Sequence, residues 1–209
     1  MRITAWIAGN EVQADSHADR LIFEPGKGWA YSNIGYLHVR TLIEETTQQS
    51  LGSALDSLVL KPLGITDASM ALSPEDLEAT AWGNPRAYHP GWVYHGLMIG
   101  PATSAALLLQ RLLEGQLLSS QSLAAMLDMH EFDIPPSSRP WSRVGSGLGI
   151  MSGTANGKVY VGHTGAGPGS TCAIYTSLDG AQRRTAATFA PVDEPGEVEY
   201  RAVALIDGA

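Results

Sequence analysis

Hydrophobic positions in the first half of the chain recur with the period of an α-helix. From Asn33 onward, the apolar positions that share one helical face are Ile34, Leu37, Leu42 and Ile43, and the polar run Gln48-Gln49-Ser50 closes the segment. A second stripe with spacing i, i+3, i+4, i+7, i+8 ends at Lys61-Pro62 and consists of Leu51, Ala54, Leu55, Leu58 and Val59. We predict two successive amphipathic helices, preceded by a loop over the first thirty residues, which show no clear period.

Three further helices are predicted from their boundaries. Ser73-Pro74-Glu75-Asp76 has a capping serine, a proline at the first helical position and acidic residues in the first turn. A strongly apolar helix is predicted from Ala102 to Glu114, where a glycine follows. A short helix covering Leu123 to Leu127 is expected to be capped by Ser119 or Ser120.

Short β-rich runs separated by glycine-containing turns follow in the last third of the chain. The predicted strands are Gly147 to Met151, Val159 to Val161, Thr171 to Thr176 and Thr185 to Phe189. Asn156-Gly157 is typical of a tight hairpin turn. A last helical stripe contains Val198, Ala202, Leu205 and Ile206. This order predicts an α+β fold in one domain over residues 1–209, with a helical part at about 33–130, an antiparallel sheet at about 145–190 and a C-terminal helix at about 196–207.

Composition narrows the classes of partner. The 209 residues are 44% hydrophobic and 16% charged, a globular balance. Thirteen Lys+Arg against 21 Asp+Glu give a formal charge of -8 without a basic stripe, so a nucleic acid is not expected as a partner, whereas a small molecule or peptide is. The single Cys172 excludes an internal disulfide framework and a cysteine-rich metal site.

No metal, cofactor or membrane segment is predicted. The histidines have no H-E-x-x-H spacing; His89 and His95 share a loop, and His17, His38 and His130 lie apart in the sequence, so ordinary surface or core histidines are expected. No apolar run is long enough to cross a bilayer, and the first residues do not form a signal peptide. The chain as given is expected to be soluble; its compartment stays open, with the cytoplasm favoured.

Tyr31-Ser32-Asn33 is the first candidate for chemistry. A tyrosine hydroxyl can relay protons when a neighbouring cation lowers its pKa, and an asparagine amide can orient a substrate carbonyl or amine. The same three residues fit a simpler structural interpretation, in which Ser32 or Asn33 caps the following helix.

The second candidate is the run from Val161 to Ser170, in which a strand reaches His163-Thr164-Gly165 and three more glycines follow. A glycine in a strand allows close backbone approach, so a substrate could lie along this strand and bond to it. The alternative is a glycine-rich hairpin loop with a solvent-facing histidine. A phosphate-binding loop is excluded by its spacing, because no Lys-Ser/Thr follows the glycines.

In combination these segments resemble the serine β-lactamase and penicillin-binding protein superfamily, most closely its β-lactamase-related, class C-like serine hydrolases. Phe23 to Tyr36 is similar to the tyrosine motif of that group, and Lys61 to Asp67 to the turn that closes the following helix pair. Tyr88 to Trp92 and Gly162 to Ser170 are similar to its late loop and its third motif, in which His-Thr-Gly can replace Lys-Thr-Gly. The resemblance covers nearly the whole chain from about Phe23.

The resemblance implies an acyl-enzyme mechanism. In that family a serine activated by a lysine three residues later attacks an amide or ester carbonyl, as in a β-lactam, a D-alanyl peptide or an ester. Tyr31 would share proton transfer with that lysine, and Asn33 would position the acyl side chain. His163 and Thr164 would contact the carboxylate or polar end of the substrate, Gly165 would allow its approach, and the backbone N–H of Ala166 would form half of the oxyanion hole.

The nucleophile motif of that family is absent from these 209 residues. Glu24, Leu58 and Ala155 stand three residues before Lys27, Lys61 and Lys158, so no Ser-x-x-Lys exists. We therefore expect either the C-terminal portion of a hydrolase without its first strands and nucleophile helix, inactive alone, or a non-catalytic remnant that binds a peptide or carboxylate.

Three aromatic residues could line the substrate cleft: Tyr88, Trp92 and Trp141. Structural packing fits each of them better.

The resemblance also implies an unpaired strand. The segment from Thr185 to Phe189 would pair with the missing first strand, so its edge should be open. We expect poor solubility or self-association through this edge for the chain alone.

Overall fold

The computed structural model describes residues 23–24, 27–28, 30–132, 137–179 and 183–208. The loop predicted for the first thirty residues lies mostly outside these ranges. The chain divides into two compact units: unit 1 comprises Met1–Leu58 and Ser69–Ile99, and unit 2 comprises Val59–Ala68 and Gly100–Ala209. The assignment of all 209 residues to one domain remains a prediction.

Unit 1 begins with the predicted helix pair. Helix α1 spans Asn33–Thr47 and ends where Gln48 adopts a left-handed conformation, with φ 55°. Helix α2 spans Leu51–Leu55, and the Ser50 hydroxyl accepts a 3.3 Å bond from the backbone N–H of Ser53. The Glu44 carboxylate holds the pair together, because it accepts a 2.9 Å bond from the first backbone N–H of α2.

Two predicted core positions in this helix pair are wrong. Helix α2 continues into a π-helical turn at Asp56–Leu60, which takes more residues per turn than an α-helix and shifts the side chains out of the predicted stripe. Leu60 is therefore buried, whereas Leu58 is 53% exposed. Leu42 is 63% exposed because it lies roughly 140° around α1 from the buried Leu37.

The rest of unit 1 consists of short elements. Strands β1 (Ser69–Met70) and β2 (Met98–Ile99) pair in antiparallel fashion. Helix α3 (Pro74–Glu78) begins as predicted, with a proline in its first turn and the Asp76 carboxylate accepting 2.8 Å bonds from two preceding backbone N–H groups. These bonds lower the pKa of Asp76. A 3₁₀ turn covers Pro90–Trp92.

Unit 2 contains a six-stranded antiparallel sheet between helices. Helices α4 (Ala102–Leu113) and α5 (Ser120–Met126) precede it in sequence, and Ser119 caps α5. The strands are β3 (His130–Phe132), β4 (Arg143–Ser146), β5 (Met151–Ala155), β6 (Lys158–Gly167), β7 (Ser170–Ser177) and β8 (Thr185–Ala190). They lie side by side in sequence order, so that among the described strands β3 and β8 form the two edges. Helix α6 (Pro195–Asp207) follows.

The strand predicted from Gly147 to Met151 is wrong. Residues 147–150 form the turn between β4 and β5, closed by a 2.8 Å bond from Gly147 N–H to Ile150 C=O. Gly149 has φ 71°, a left-handed conformation incompatible with a regular strand. Leu148, inside the predicted strand, is 69% exposed.

The hairpin predicted at Asn156-Gly157 is confirmed. Both residues have positive φ, 51° and 74°, as a two-residue turn of type I′ requires. This turn sets the register in which Ala155 pairs with Lys158 and Met151 with Gly162.

The two faces of the sheet carry separate hydrophobic clusters, because successive side chains of a strand point to opposite faces. On one face, α6 packs on Tyr160, Tyr175 and Ala186 through Val198, Ala202 and Ile206. On the other, α4 packs on Val161 and Ile174 through Leu109 and Leu113. Leu205, assigned to the buried stripe of α6 from sequence, is instead 57% exposed.

Candidate functional site

In the Tyr31-Ser32-Asn33 segment, the capping role belongs to the central residue. Ser32 has extended backbone angles, and its hydroxyl accepts a 3.0 Å bond from the N–H of Gly35. Asn33 is the first residue of α1, and both it and Tyr31 are exposed. Ser32 therefore ends the extended backbone before the helix and leaves its two neighbours with side chains available to a ligand.

Tyr31 is the first member of an aromatic row in unit 1. Its ring centroid lies 5.8 Å from that of Tyr36, which lies 6.1 Å from the ring of His95. Burial, and secondarily the neighbouring Tyr31, raises the pKa of Tyr36. Burial lowers the pKa of His95, which favours its neutral ring. The exposed Tyr31 is thus next to the half-buried ring of Tyr36, which is in turn next to the half-buried ring of His95.

In the loop before His95, polar side chains form hydrogen bonds with backbone groups of the same loop. The His89 ring accepts a 2.9 Å bond from Gly91 N–H through Nδ1, and the Asn84 side chain bonds both backbone groups of Tyr88. Burial raises the pKa of the Tyr88 hydroxyl. Trp92 differs, because its Nε1–H is buried without a hydrogen-bond partner among the described residues.

Strand β6 carries the second candidate group in unit 2. Pairing with β5 ends at Gly162, whereas pairing with β7 continues to Gly167. Val159 C=O accepts from Leu178 N–H on the β7 side. Because backbone direction alternates along an antiparallel strand, the N–H and C=O groups of Thr164 and Ala166 point away from β7. Among the described strands none pairs with this side, so Thr164 and Ala166 form an open edge.

The residues beside the open edge differ in exposure. Gly165 and Ala166 are exposed, whereas Gly162 is packed so tightly that a Cβ there would lie 1.9 Å from the Ile174 carbonyl oxygen. A Cβ at Gly165 would meet only the Cys172 sulfur, at 3.0 Å. The backbone of β6 is thus accessible at the open edge and fully packed just before it.

The His163 ring folds back onto the strand. Its Nδ1 lies 2.8 Å from the carbonyl oxygen of Thr164. A carbonyl oxygen only accepts hydrogen bonds, so Nδ1 carries the proton of this bond. Nε2 has no hydrogen-bond partner among the residues that the structure describes.

The Thr164 hydroxyl points to the face covered by α6. It donates to the Glu199 carboxylate at 2.5 Å and lies 2.9 Å from the Tyr175 hydroxyl. The guanidinium of Arg139 donates to both oxygens of the same carboxylate, at 2.8 and 2.5 Å. Glu199 is fully buried, and these three donors satisfy it. We call Arg139, Thr164, Tyr175 and Glu199 the buried carboxylate network.

The pKa values of Arg139 and Tyr175 in this network are shifted by the Glu199 carboxylate and by burial. The bond to Glu199 raises the pKa of Arg139, so its guanidinium stays charged. Burial, and next the Glu199 charge, raises the pKa of Tyr175 and keeps its hydroxyl protonated. Trp141, considered as a cleft residue, is only 6% exposed and packs on Tyr175 with ring centroids 4.9 Å apart, so it belongs to the core.

The sequence-predicted site residues thus fall into two groups. Tyr31 and Asn33 lie in unit 1, and His163, Thr164, Gly165 and Ala166 lie in unit 2. Sequence reasoning missed Arg139, Tyr175 and Glu199. A usable signal existed for Glu199 alone, because it lies three residues before Ala202 on the apolar face of α6.

The described ranges contain neither a metal-binding cluster nor a membrane-spanning helix. Within them, no group of three or more His, Cys, Asp or Glu side chains could hold a metal ion. Of the helices described, none is both long and apolar enough to cross a bilayer.

A helical region followed by an antiparallel sheet and a C-terminal helix defines an α+β protein of the β-lactamase/transpeptidase-like class, and the predicted fold class is confirmed. The chain belongs to the beta-lactamase family, whose model matches residues 5–205. The predicted relationship to the serine β-lactamase and penicillin-binding protein superfamily is therefore also confirmed.

Individual relatives are distant and longer than this chain. Penicillin-binding protein 4* of Bacillus subtilis (strain 168) is 33% identical over 64 residues, which cover 29% of this chain and 14% of that protein. A D-stereospecific amidohydrolase from Streptomyces sp. has a similar structure, with TM-score 0.76 and 22% identity over 96% of this chain and 61% of its own. The D-amino acid amidase of Ochrobactrum anthropi SV3 complexed with D-phenylalanine gives 0.74 and 18%, over 99% and 66%.

An octameric penicillin-binding protein homologue from Pyrococcus abyssi is also similar, with TM-score 0.72, 19% identity and coverage of 98% of this chain and 49% of its own. The chain thus spans roughly half to two thirds of the length of these structural relatives. At such identities the likeness establishes the fold.

Proposed function

We propose that this chain carries the substrate-binding and proton-transfer side of a serine hydrolase that acts on an amide or ester through an acyl-enzyme. The open edge of β6 is the observation that carries this proposal, because an extended substrate can bond to it as an added strand. Gly165 supports such binding, since it has no side chain to hold the substrate away. Membership in the beta-lactamase family supports the reaction class.

We assign roles in the reaction to the groups that a substrate can reach. Tyr31 would exchange a proton with a lysine of the nucleophile motif, and Asn33 would orient the acyl side chain. The N–H of Ala166 would donate to the substrate oxygen; removal of one such donor typically costs about 3 kcal/mol of transition-state stabilisation. His163 would contact the polar end of the substrate. Thr164 would position the strand through Glu199, because its hydroxyl is already bonded inside the protein.

The 209 residues are proposed not to form an acyl-enzyme by themselves, because they contain no Ser-x-x-Lys. Ser32 is not a substitute: its hydroxyl caps α1, and no lysine or histidine contact is described for it. The binding half of the reaction would remain, since the open edge of β6 needs no nucleophile.

An intact mass measurement tests this division of roles. After incubation of the 209-residue chain with benzylpenicillin, an acylating β-lactam, the mass should be unchanged. A covalent adduct would contradict the proposal, and its loss in Ser32→Ala would then identify Ser32 as the nucleophile.

The binding role has a separate test by NMR. N-acetyl-D-phenylalanine amide, chosen because an amidase relative is complexed with D-phenylalanine, should shift the amide NMR signals of Thr164 to Ala166.

The source DNA upstream of Met1 separates the hydrolase from the second candidate, a non-catalytic protein that binds a peptide or carboxylate. The observation that favours this candidate is the absence of Ser-x-x-Lys from the chain. An in-frame Ser-x-x-Lys segment would support the hydrolase, and the longer chain should then be acylated, with Tyr31→Phe lowering the rate about 10²- to 10⁴-fold. A nearby stop codon without such a motif would support the binding protein.

We further propose that the chain associates with itself through β8. Among the described strands β8 has a neighbour on one side only, and α4 and α6 pack against it. An uncovered strand edge offers N–H and C=O groups to a second strand, and a second copy of this chain supplies the same edge.

A further inference from the structure

The hydrogen-bonding groups beside the open edge of β6 form an unusual set, because the Thr164 hydroxyl has no proton left to donate. A hydroxyl has one proton, and that of Thr164 goes to Glu199 at 2.5 Å. The Tyr175 hydroxyl, 2.9 Å away, must then donate to Thr164. The third motif had implied that Thr164 contacts the substrate carboxylate. With its proton on Glu199, the Thr164 hydroxyl does not donate to that carboxylate.

His163 has the same limitation in its neutral form. Its Nδ1 proton is committed to the Thr164 carbonyl at 2.8 Å, so the neutral ring presents Nε2 as a hydrogen-bond acceptor. A carboxylate placed against Nε2 would bring two acceptors together without a proton between them. Arg139 is the cation of the buried carboxylate network. Its guanidinium donates to both Glu199 oxygens on the α6 face of the sheet, so it is already paired with a carboxylate inside the protein.

The backbone of Ala166 completes the set with one donor and one acceptor, both directed to the open edge. We infer that the β6 edge selects a ligand ending in a neutral carboxamide over the matching carboxylate or ester. The carboxamide C=O would accept from Ala166 N–H, and its N–H groups would donate to His163 Nε2 or Ala166 C=O. This inference rests on the proposed function, in which the open β6 edge binds the substrate.

The first measurement needs no ligand. In the 209-residue chain labelled with ¹⁵N-histidine, the neutral form of the His163 ring should give the NMR pattern of protonation at Nδ1. A ring protonated at Nε2 would overturn the inference, whether or not any ligand binds.

The second measurement compares three probes that differ at one group: N-acetyl-D-phenylalanine amide, its methyl ester and its free acid. Dissociation constants follow from amide NMR titration. The amide should bind about fivefold more tightly than the ester, which is uncharged like the amide but has no terminal N–H. The acid should bind more weakly than the amide as well.

Variants assign the preference to the ring. His163→Ala should reduce the difference between amide and ester to about twofold or less, whereas His130→Ala, at an exposed histidine on β3, should leave it unchanged. Equal binding of amide and ester, or tighter binding of the acid, would overturn the selectivity and leave the proposed binding role intact. Failure of all three probes to bind would overturn both.

Discussion

Ser32 separates two side chains proposed for catalysis from the helix that follows them. Its hydroxyl accepts from Gly35 N–H, while Tyr31 and Asn33 remain exposed. Sequence alone could not choose between Ser32 and Asn33 as the cap, because both residue types cap helices well. The backbone decides it: Ser32 has φ −146°, and Asn33 already begins the helix.

Removal of this cap should destabilise the protein by about 1 kcal/mol. Ser32→Ala loses the bond to Gly35 N–H, whereas Ser32→Asp keeps an acceptor oxygen and should stay within a few tenths of a kcal/mol of the parent. Urea unfolding followed by circular dichroism measures both variants. Equal destabilisation in the two would argue against a capping role.

At the scale of elements, the buried carboxylate network joins helix α6 to strands β6 and β7. Glu199→Ala would leave the Arg139 guanidinium and the Thr164 hydroxyl without their acceptor and should destabilise the protein by about 3 kcal/mol or more. The control is Glu197→Ala on the same helix, where a largely exposed pair with Arg201 should contribute about 0–1 kcal/mol. Urea unfolding compares the two, and a similar small effect for both would contradict the network's role.

The end of α6 is tied to the β5–β6 hairpin through Asp207. Its carboxylate accepts from Lys158 Nζ at 2.7 Å, Tyr160 hydroxyl at 2.8 Å and Asn156 Nδ2 at 3.2 Å. These bonds, that from Lys158 first, lower the pKa of Asp207. Because the folded pKa lies below the unfolded value of about 3.9, the ionised form stabilises the fold above that pH. The contribution is lost as pH falls through the folded pKa.

Asp207→Asn should therefore reduce the loss of stability on acidification below about pH 4. Unfolding midpoints measured from about pH 6 to pH 2 test this expectation. Asp128→Asn is the matched control, because Asp128 is exposed and no hydrogen bond to its carboxylate is described. A steeper acid dependence in Asp207→Asn than in the parent would be the opposite of what the geometry requires.

Most elements could be predicted because their signals are local. Gln48, Ser73 and Asn156-Gly157 mark boundaries through backbone angles and caps that depend on a few neighbouring residues. The π-helical turn at Asp56–Leu60 could not be predicted, since a 3.6-residue period assumes a uniform helix. The turn at residues 147–150 resembles a strand in sequence because Gly147 to Met151 is a short apolar run, and such a run does not by itself distinguish a strand from other buried backbone.

At the scale of the whole molecule, the proposed self-association through β8 has a residue-specific test. The bond from Ser177 N–H to Arg184 C=O places even-numbered residues of β8 toward β7, so Ala187 N–H points to the open side. Ala187→Pro should reduce self-association, measured by light scattering after gel filtration, while the fold persists. Ala186→Pro, which removes a bond to β7, should unfold the sheet edge. A monomeric parent chain would contradict the proposal.

The buried carboxylate network marks the limit of prediction at this scale. Arg139 and Glu199 are 60 residues apart, and Thr164 lies on a third segment. No local pattern encodes such a meeting; it depends on the sheet order that places β6 and β7 under α6. The strand that reaches His163-Thr164-Gly165 could be located from sequence, whereas the direction of the Thr164 hydroxyl could not.

Pairing with β5 stops at Gly162 and so divides β6 into two parts, whose amide hydrogens should exchange with deuterium in different ways. Before this point both sides of the strand are paired, so successive amides should all be protected. Beyond it, the amides of His163 and Gly165, which face β7, should stay protected, while those of Thr164 and Ala166 exchange rapidly. A bound extended ligand should slow the two fast amides and so turn an alternating pattern into a continuous one.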